Sequence, residues 1–388
     1  MSLDTAPRLD ADALLDDPQT RIVVCCGAGG VGKTTTAAAL GVRAAERGRR
    51  VVVLTIDPAK RLAQSMGIDA LDNSPRRVAG IKGSGELYAM MLDMKRTFDE
   101  IVEAHADADR ARAILENPFY QSLSAGFAGT QEYMAMEKLG QLRARDSWDL
   151  IVVDTPPSRS ALDFLDAPKR LGSFLDGRFI RMLTAPAKAG GRAGMKFLNV
   201  GMSMMTGTLG KLLGSSLLRD VQTFVAAMDT LFGGFRTRAE ATYRLLQAPG
   251  TAFLVVATPE RDALREAAYF VERLEADRMP LAGLVLNRVH ESDAAQLSAE
   301  RALAAAEALD EWGVDDAGAG AGDAAALLRL HAERMQVLAH ERRTRDRFAA
   351  LHPEVPVAQV TALPGDVHDL AGLRDVAELL ASQEAPGA

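Results

Sequence analysis

The stretch that decides the fold is Arg21–Cys26 (RIVVCC), followed by Gly27–Thr35 (GAGGVGKTT) and then by Thr36–Leu40 (TAAAL). The first segment is rich in β-branched and apolar residues, which predicts a buried strand, and the last is a helical run. The segment between them has the pattern GxxxxGK[ST] in the strand–loop–helix setting that this motif requires. The alternative, a glycine-rich turn that binds nothing, is disfavoured because strand, loop and helix occur in register. We therefore predict a phosphate-binding loop.

Each part of this loop has a predicted role in binding a nucleoside triphosphate. The glycines let successive backbone N–H groups point at phosphate oxygens, and the helix N-terminus adds a positive dipole. Lys33 is expected to contact the β- and γ-phosphates, and Thr34 to hold Mg²⁺. The residues predicted to line the nucleotide are Gly27, Ala28, Gly29, Gly30, Val31, Gly32, Lys33, Thr34 and Thr35.

The rest of the chain alternates short apolar runs with long helical stretches. Most runs are apolar throughout, which is typical of parallel strands covered by helices on both faces. We therefore predict an α/β fold of the P-loop NTPase type, with a doubly wound, mostly parallel sheet and an inserted helical subdomain. The predicted strands are Arg21–Cys26, Val51–Ile56, Glu86–Leu92, Asp149–Val153, Ala252–Ala257, Leu281–Leu286 and Val355–Val360.

We predict a single domain over residues 1–388, with helical insertions over about 95–145 and 167–250. A glycine- and alanine-rich stretch predicts a mobile loop over about 313–323. Within the second insertion, Met195–Phe235 holds five of the 15 methionines and has apolar residues at helical spacing. Two interpretations stay open for it: an adaptable groove for hydrophobic clients, or a helix core or dimer contact.

Composition narrows the class of protein. Lys plus Arg number 45 and Asp plus Glu 52, for a net charge of −7, which argues against a general nucleic-acid binder. The acidic N-terminus lacks the features of a signal peptide, and no apolar run of about 18 residues is present, so we expect a soluble cytoplasmic protein. Cys25 and Cys26 are the two cysteines and are neighbours, so they build neither a disulfide framework nor a CxxC zinc pair.

Two acids follow predicted strands. Asp57 could orient the attacking water or accept its proton, although an N-cap before Pro58 explains it equally well. Asp154 ends the apolar run DLIVVD, and an acid at this position in a P-loop protein is expected to hold Mg²⁺ directly or through water. The loop that starts at Thr155 (TPPSRS) could sense the γ-phosphate.

These residues resemble a known family, the ArsA-like ATPases, which includes the arsenite-pump ATPase and the targeting factor for tail-anchored membrane proteins. Gly27–Thr35 is similar to the family's GKGGVGKTT, and Asp57–Ala59 resembles the DPA of its first switch. Asp154–Pro157 resembles the DTAP of its second switch, with Leu162–Leu165 close to its LRFL. The sequence looks most like an actinobacterial branch, and the resemblance implies the deviant Walker A, SIMIBI-type fold.

The resemblance also implies a site for the base. Asn287 matches the asparagine that recognises adenine, and Arg288 follows it in Leu286–Arg288 (LNR). Leu363 and Pro364 open a segment, LPGDV, that resembles the late loop packing against the base.

The chain departs from the family at Ala28, where the family has its signature lysine. That lysine is expected to reach across a nucleotide-closed dimer to the partner's phosphates. A trans cation of this kind acts like an arginine finger, worth roughly 10³-fold in rate, or about 4 kcal/mol. Three explanations fit. A paralogue supplies the lysine in a heterodimer, Arg159 or a different basic residue replaces it, or the chain is a weak ATPase.

Other branches of the family need cysteines that this chain lacks. The arsenite branch uses three thiolates, and Cys25 and Cys26 occupy neighbouring strand positions that face opposite ways. A nitrogenase-like cluster and the eukaryotic targeting factor's CxxC zinc site also cannot be built. Arsenite or anion pumping therefore has no support in these residues.

The resemblance implies an Mg²⁺-dependent ATPase that converts ATP to ADP and phosphate to drive a conformational switch of a dimer. Lys33 and Asp57 are its expected catalytic residues, and Thr34 and Asp154 its metal ligands. The expected partner is a lysine-bearing paralogue or a second copy of the chain, with no nucleic acid. One alternative is a nucleotide-gated targeting factor or chaperone for hydrophobic membrane-protein segments, peripheral to the membrane through its partner. The other is a non-catalytic, nucleotide-binding regulatory subunit, which Ala28 favours.

Overall fold

Eight strands form one sheet in the part of the chain that the structure describes. The structure is a computed structural model, and it describes residues 6–57, 61–118, 120–121, 130–156, 234, 237–312 and 320–382. The strand order is β3-β4-β2-β5-β1-β6-β7-β8, and only β3 runs antiparallel to its neighbour. The strands are β1 (Ile22–Gly27), β2 (Arg50–Thr55), β3 (Arg76–Arg77), β4 (Glu86–Met91), β5 (Leu150–Asp154), β6 (Thr251–Ala257), β7 (Leu281–Val289) and β8 (Val357–Thr361).

The helices follow the strands in the alternation that the sequence predicts. Together with the parallel order of the sheet, they confirm the α/β, P-loop NTPase fold class. The helices are α1 (Ala11–Asp16), α2 (Lys33–Glu46), α3 (Arg61–Ser65), α4 (Met94–His105), α5 (Ala108–Leu115), α6 (Thr130–Ala144), α7 (Arg261–Ala276), α8 (Ala299–Trp312), α9 (Gly320–Leu351) and α10 (Leu370–Ala381).

The central strand β1 separates two hydrophobic layers. Ile22, Val24 and Cys26 belong to the layer that includes residues of α4, α6 and α7, whereas Val23 and Cys25 belong to the layer that includes residues of α2 and α10. All five side chains are fully buried. A strand that is apolar on both faces is what the sequence predicts for a sheet covered on both sides.

The order of the strands creates a switch point beside β1. The strands β2 and β4 lie on one side of β1, beyond β5, whereas β6, β7 and β8 lie on the other side. In open α/β sheets of this kind, ligands bind outside the carboxyl ends of the strands at such a point. The phosphate loop leaves β1 at that edge.

Two buried ion pairs fix α6, which leads into β5. The Lys138 ammonium lies 2.9 Å from a carboxylate oxygen of Glu100 on α4. The neighbouring residue Glu137 accepts a hydrogen bond of 2.8 Å from the Nε of Arg238. Arg238 belongs to a helical segment over residues 237–247. Glu137 and Lys138 are both less than 5% exposed, so neither charge faces water. Helix α6 is therefore tied on two sides.

The expected insertions and loop are only partly described. Most described residues of the first insertion, 95–145, are helical and lie in α4, α5 and α6. Most of the second insertion, including Met195–Phe235 with its possible client groove and the switch residue Arg159, lies outside the described residues. Helix α9 begins at Gly320, so the last residues of the loop expected over 313–323 are helical. In the described segments, no helix has the length and apolar composition needed to cross a membrane.

Candidate functional site

A large cavity opens at the carboxyl edge of the sheet, where the sequence predicts the nucleotide. Its volume is about 1130 Å³, which is enough for a nucleoside triphosphate. The phosphate loop forms one wall, and residues after β7 and β8 form the opposite wall. The residues predicted for the site that line the cavity are Gly30, Gly32, Lys33, Thr34, Thr35, Asp57, Asn287, Arg288, Leu363 and Pro364.

The backbone of the phosphate loop requires glycine at two positions. Gly32 precedes α2 with φ of 97°, and a Cβ there would lie 2.2 Å from the Asn287 Nδ2. Gly27 has φ of 150°, and its Cβ would lie 2.1 Å from the carbonyl oxygen of Val256. A side chain at either position would therefore force the loop away from the strands that support it.

Lys33 is buried, with only 5% of its surface exposed, and its ammonium donates to the carbonyl oxygen of Ala28 at 2.7 Å. Burial lowers the pKa of Lys33, and the nearby carboxylate of Asp154 opposes that change. An ammonium held inside a phosphate loop can neutralise charge on the β- and γ-phosphates of a bound nucleotide.

A three-residue hydrogen-bond cluster lies beneath the cavity, which its member Thr34 lines. The hydroxyl of Thr34 donates to Asp154 Oδ2 at 2.8 Å, and the hydroxyl of Thr55 donates to the same oxygen at 2.9 Å. Asp154 is completely buried at the end of β5, and burial raises the pKa of its carboxyl to about 6 although both hydroxyls lower it. The carboxylate is thus held in place at an electrostatic cost.

The chemistry of this cluster fits Mg²⁺. The second carboxylate oxygen, Asp154 Oδ1, is buried and has no hydrogen-bond partner among the described residues. A hydroxyl and a carboxylate are hard oxygen donors of the kind that Mg²⁺ prefers beside a phosphate. Thr34 and Asp154, the two predicted metal ligands, are therefore in contact with each other, and Oδ1 of Asp154 is available to coordinate a cation.

Asp57 lies on the cavity wall just after β2, and the backbone leading to it is held by hydrogen bonds. The Ile56 N–H donates to the carbonyl oxygen of Asp154 at 2.9 Å, and the Gln131 Nε2 of α6 donates to the carbonyl oxygen of Ile56 at 3.0 Å. The Asp57 N–H donates to the hydroxyl of Thr55 at 3.2 Å. Asp57 therefore stands on a fixed backbone beside the phosphate loop.

The base side of the cavity depends on a bulge in β7. The pairing of β7 with β8 shifts between Asn287 and Val289, and Arg288 between them has φ of 59°. A bulge of this kind redirects side chains at a sheet edge. The Asn287 Nδ2 donates to the carbonyl oxygen of Val31 in the phosphate loop at 2.9 Å. Asn287 thus joins the base wall to the phosphate wall.

Not every residue predicted for the nucleotide lies on the wall of the cavity. Gly27, Ala28 and Val31 are buried behind the loop, where Ala28 and Val31 belong to a hydrophobic layer. Gly29 is exposed at the tip. Asp154 lies beneath the cavity and reaches it through Thr34.

The structure adds residues that the sequence analysis missed. Thr55 and Gln131 have no motif of their own, and they become visible only when the fold brings β2, β5 and α6 together. Other cavity-lining residues outside every predicted motif are Arg61, Gln64, Ser65, His290 and His368. Thr155, which opens the loop predicted to sense the γ-phosphate, and residues 365–367, which belong to the predicted segment LPGDV, also line the cavity.

The two cysteines are fully buried on opposite sides of β1, as their adjacent positions predict. Burial raises the pKa of both thiols, to about 12 for Cys26. In the described segments, no group of three or more Cys, His, Asp or Glu side chains is placed to hold a metal ion. The two thiols thus face different hydrophobic layers and are shielded from solvent.

Comparison with known proteins agrees with this geometry. A family described as anion-transporting ATPase (ArsA ATPase) matches residues 20–311. An ATPase GET3 of Podospora anserina is 26% identical over 311 residues, which cover 77% of this chain and 83% of that protein. An ATPase GET3 of Malassezia globosa is 30% identical over 158 residues, or 41% of this chain and 45% of that one. A putative arsenical pump-driving ATPase of Halobacterium salinarum is 30% identical over 197 residues, or 47% and 29%.

Proposed function

The chain belongs to the anion-transporting ATPase family, and on that premise we propose that it binds ATP at the carboxyl edge of its sheet and hydrolyses it to ADP and phosphate. The observation that carries this proposal is the hydrogen bond of 2.8 Å between Thr34 and Asp154, beneath the cavity that Lys33 and Asp57 also line. Phosphate loop, lysine, hydroxyl and two acids at one sheet edge are the parts that phosphoryl transfer needs.

In this reaction the residues of the chain bind, neutralise and orient. Backbone N–H groups of the loop and the N-terminus of α2 bind phosphate oxygens. The ammonium of Lys33 neutralises charge that develops as the bond to the γ-phosphate breaks. Asp57 orients the attacking water in line with that bond and accepts its proton.

Thr34 and Asp154 would hold Mg²⁺. When it is bound, the cation neutralises charge on the phosphate oxygens. The buried carboxylate of Asp154, whose pKa is raised to about 6, remains ionised at neutral pH and keeps one oxygen for this purpose.

Asn287 supports adenine as the base. One N–H of its Nδ2 donates to the carbonyl oxygen of Val31, which orients the amide, and its Oδ1 can accept from an amino group in the cavity. Adenine offers such a group at C6, whereas guanine offers a carbonyl oxygen there. We expect ATP to compete for the site much more strongly than GTP, and equal competition would contradict this role of Asn287.

Ala28 supports a dimer in which a second subunit completes the site. Its side chain is buried in a hydrophobic layer and carries no charge to a partner. A paralogue with lysine at the equivalent position would provide that charge in a heterodimer. The other candidates are Arg159, outside the described residues, and Arg61, which lines the same cavity and has no charged partner within the described part of the chain.

The experiment is ATP turnover and light-scattering mass of the purified chain, alone and mixed with a lysine-bearing paralogue from the same cell. Slow turnover alone, with a mixed dimer and faster hydrolysis after mixing, supports the heterodimer. Brisk turnover as a homodimer that ignores the paralogue contradicts it and points to an arginine of this chain. The Lys33→Ala variant is the control in both arms, since it keeps the surface and removes the phosphate-binding cation.

A further inference from the structure

Thr55 is a buried residue of β2 whose hydroxyl lies between the two acids of the site. It is 1% exposed, so no water competes for its contacts. Its Oγ1 lies 2.9 Å from Asp154 Oδ2, 3.2 Å from the backbone nitrogen of Asp57 and 3.4 Å from the carbonyl oxygen of Asp57. One oxygen atom therefore contacts both the proposed metal ligand and the residue proposed to orient water.

The hydroxyl has a single proton, and the geometry decides where it goes. The carboxylate of Asp154 is the nearer acceptor and is charged, so it takes the proton in preference to the Asp57 carbonyl oxygen. The lone pairs on Oγ1 then accept from the Asp57 N–H. The two hydrogen bonds share one oxygen, and each polarises the other.

The backbone around Thr55 leaves little freedom for a different arrangement. The Thr55 carbonyl oxygen accepts from the N–H of Leu92, and the Ile56 N–H donates to the carbonyl oxygen of Asp154. The Ile56 carbonyl oxygen accepts from Gln131. Among the described residues, Thr55 and Gln131 are the side chains whose hydrogen bonds hold residues 55–57, and of these two Thr55 is the one that also contacts the carboxylate of Asp154.

From these contacts we propose that Thr55 is a positioning residue that couples the metal end of the site to the water-orienting end. This rests on the proposed function. The hydroxyl orients the Asp154 carboxylate toward Mg²⁺ and holds the backbone of Asp57 in register with it. A change in the position of Asp154 is thereby passed directly to Asp57.

The test uses the full-length chain and two substitutions of Thr55. Thr55→Val keeps the shape and removes the hydroxyl, and Thr55→Ser keeps the hydroxyl and removes a methyl group. Thr97→Val is the matched control. Thr97 is 0% exposed, and its hydroxyl donates to Asn73 at 3.1 Å outside the nucleotide cavity. The Thr97→Val variant therefore loses a buried hydrogen bond similar to the one lost in Thr55→Val.

The first readout is the affinity of a fluorescent, non-hydrolysable ATP analogue as a function of Mg²⁺ concentration. Groups that orient a metal ligand typically contribute roughly 10- to 100-fold to metal affinity. We expect Thr55→Val to raise the half-saturating Mg²⁺ concentration by about tenfold, at the lower end of that range because Thr34 still donates to Asp154. Thr55→Ser and Thr97→Val should stay within about twofold of the wild type.

The second readout is kcat at saturating Mg²⁺, measured with and without Asp57→Asn. We expect Thr55→Val to lower kcat by roughly tenfold in the wild-type background and by less than about twofold in the Asp57→Asn background. The reason is that Thr55 acts on the rate through Asp57. A residue that only stabilises the fold would lower kcat equally in both backgrounds.

Three results would overturn the inference: an unchanged Mg²⁺ dependence in Thr55→Val, no rescue by Thr55→Ser, or additive effects of Thr55→Val and Asp57→Asn on kcat. Each leaves the proposed function intact if the wild type binds the analogue in an Mg²⁺-dependent way and hydrolyses ATP. A wild type that does neither removes the proposed function itself.

Discussion

Replacing Asp154 by asparagine is expected to stabilise the nucleotide-free chain at neutral pH while it weakens stabilisation by Mg²⁺ and ATP. Asp154 is completely buried, and burial raises the pKa of its carboxyl from 3.8 to about 6. The unfolded chain therefore loses this proton at a lower pH than the folded chain does. The resulting cost to the folded state is absent below about pH 4, grows between about pH 4 and pH 6, and is constant above.

The magnitude follows from the two pKa values. The difference of about two pH units corresponds to about 3 kcal/mol at pH 7 and about half of that at pH 5. With an unfolding entropy of about 2.1 cal/mol/K per residue over 388 residues, the midpoint shifts by about 1.2 °C per kcal/mol. Asp154→Asn should therefore melt about 3–4 °C above the wild type at pH 7 and about 2 °C above it at pH 5.

The assay is thermal unfolding at both pH values, with and without Mg²⁺ and ATP. At a nucleotide concentration of about 100 times Kd the wild type should gain about 2.7 kcal/mol, or about 3 °C, and the variant clearly less. Asp366→Asn is the control, because this carboxylate lines the same cavity but is exposed. A variant that melts below the wild type without nucleotide, or that gains as much from Mg²⁺ and ATP, would refute the reasoning.

Three further outcomes follow from buried charges and thiols. Lys33→Ala should abolish ATP hydrolysis because no other cation is held inside the loop, and unchanged turnover would remove the ATPase assignment. Neither Cys25 nor Cys26 should react with Ellman's reagent in the native chain, since burial raises the pKa of both thiols, whereas both should react in urea; fast labelling of either in the native chain would contradict their burial. Glu137→Ala should lower the free energy of unfolding by about 2 kcal/mol, which is less than usual for a buried ion pair because Arg238 is 27% exposed. A thermal midpoint equal to that of the wild type would show that the ion pair does not stabilise the fold.

The sequence predicts the structure best where all the residues of a motif lie in one continuous segment. The run from Arg21 to Thr35 predicts strand, loop and helix, and β1 and α2 occur there with Gly32 in the left-handed conformation that the motif requires. The strands are predicted within one to three residues at each end because each is a separate apolar run. The exception is β3, Arg76–Arg77, which has two exposed charged residues and therefore no pattern to read.

Residues whose role depends on a distant contact could not be predicted. Thr55 lies in an apolar strand and Gln131 near the start of a helix, and 76 residues separate them along the chain. Thr55 acts through its hydrogen bond to Asp154, and Gln131 acts through its hydrogen bond to the carbonyl oxygen of Ile56. Both contacts exist only in the folded sheet. Arg288 is predicted for the base site by the resemblance, but its left-handed backbone has no signal in the sequence, because it follows from the bulge between β7 and β8.

The contact of Asn287 with the phosphate loop limits how the choice of base can change. Its side chain donates to Val31 and lies against Gly32, so a substitution that favours a different base would also shift the loop that binds phosphate. A substitution of Asn287 is therefore expected to change base preference and catalytic rate together. Residues 363–368 also line the base side of the cavity but do not form that hydrogen bond, so a lineage acquiring a new nucleotide would accumulate its substitutions there first.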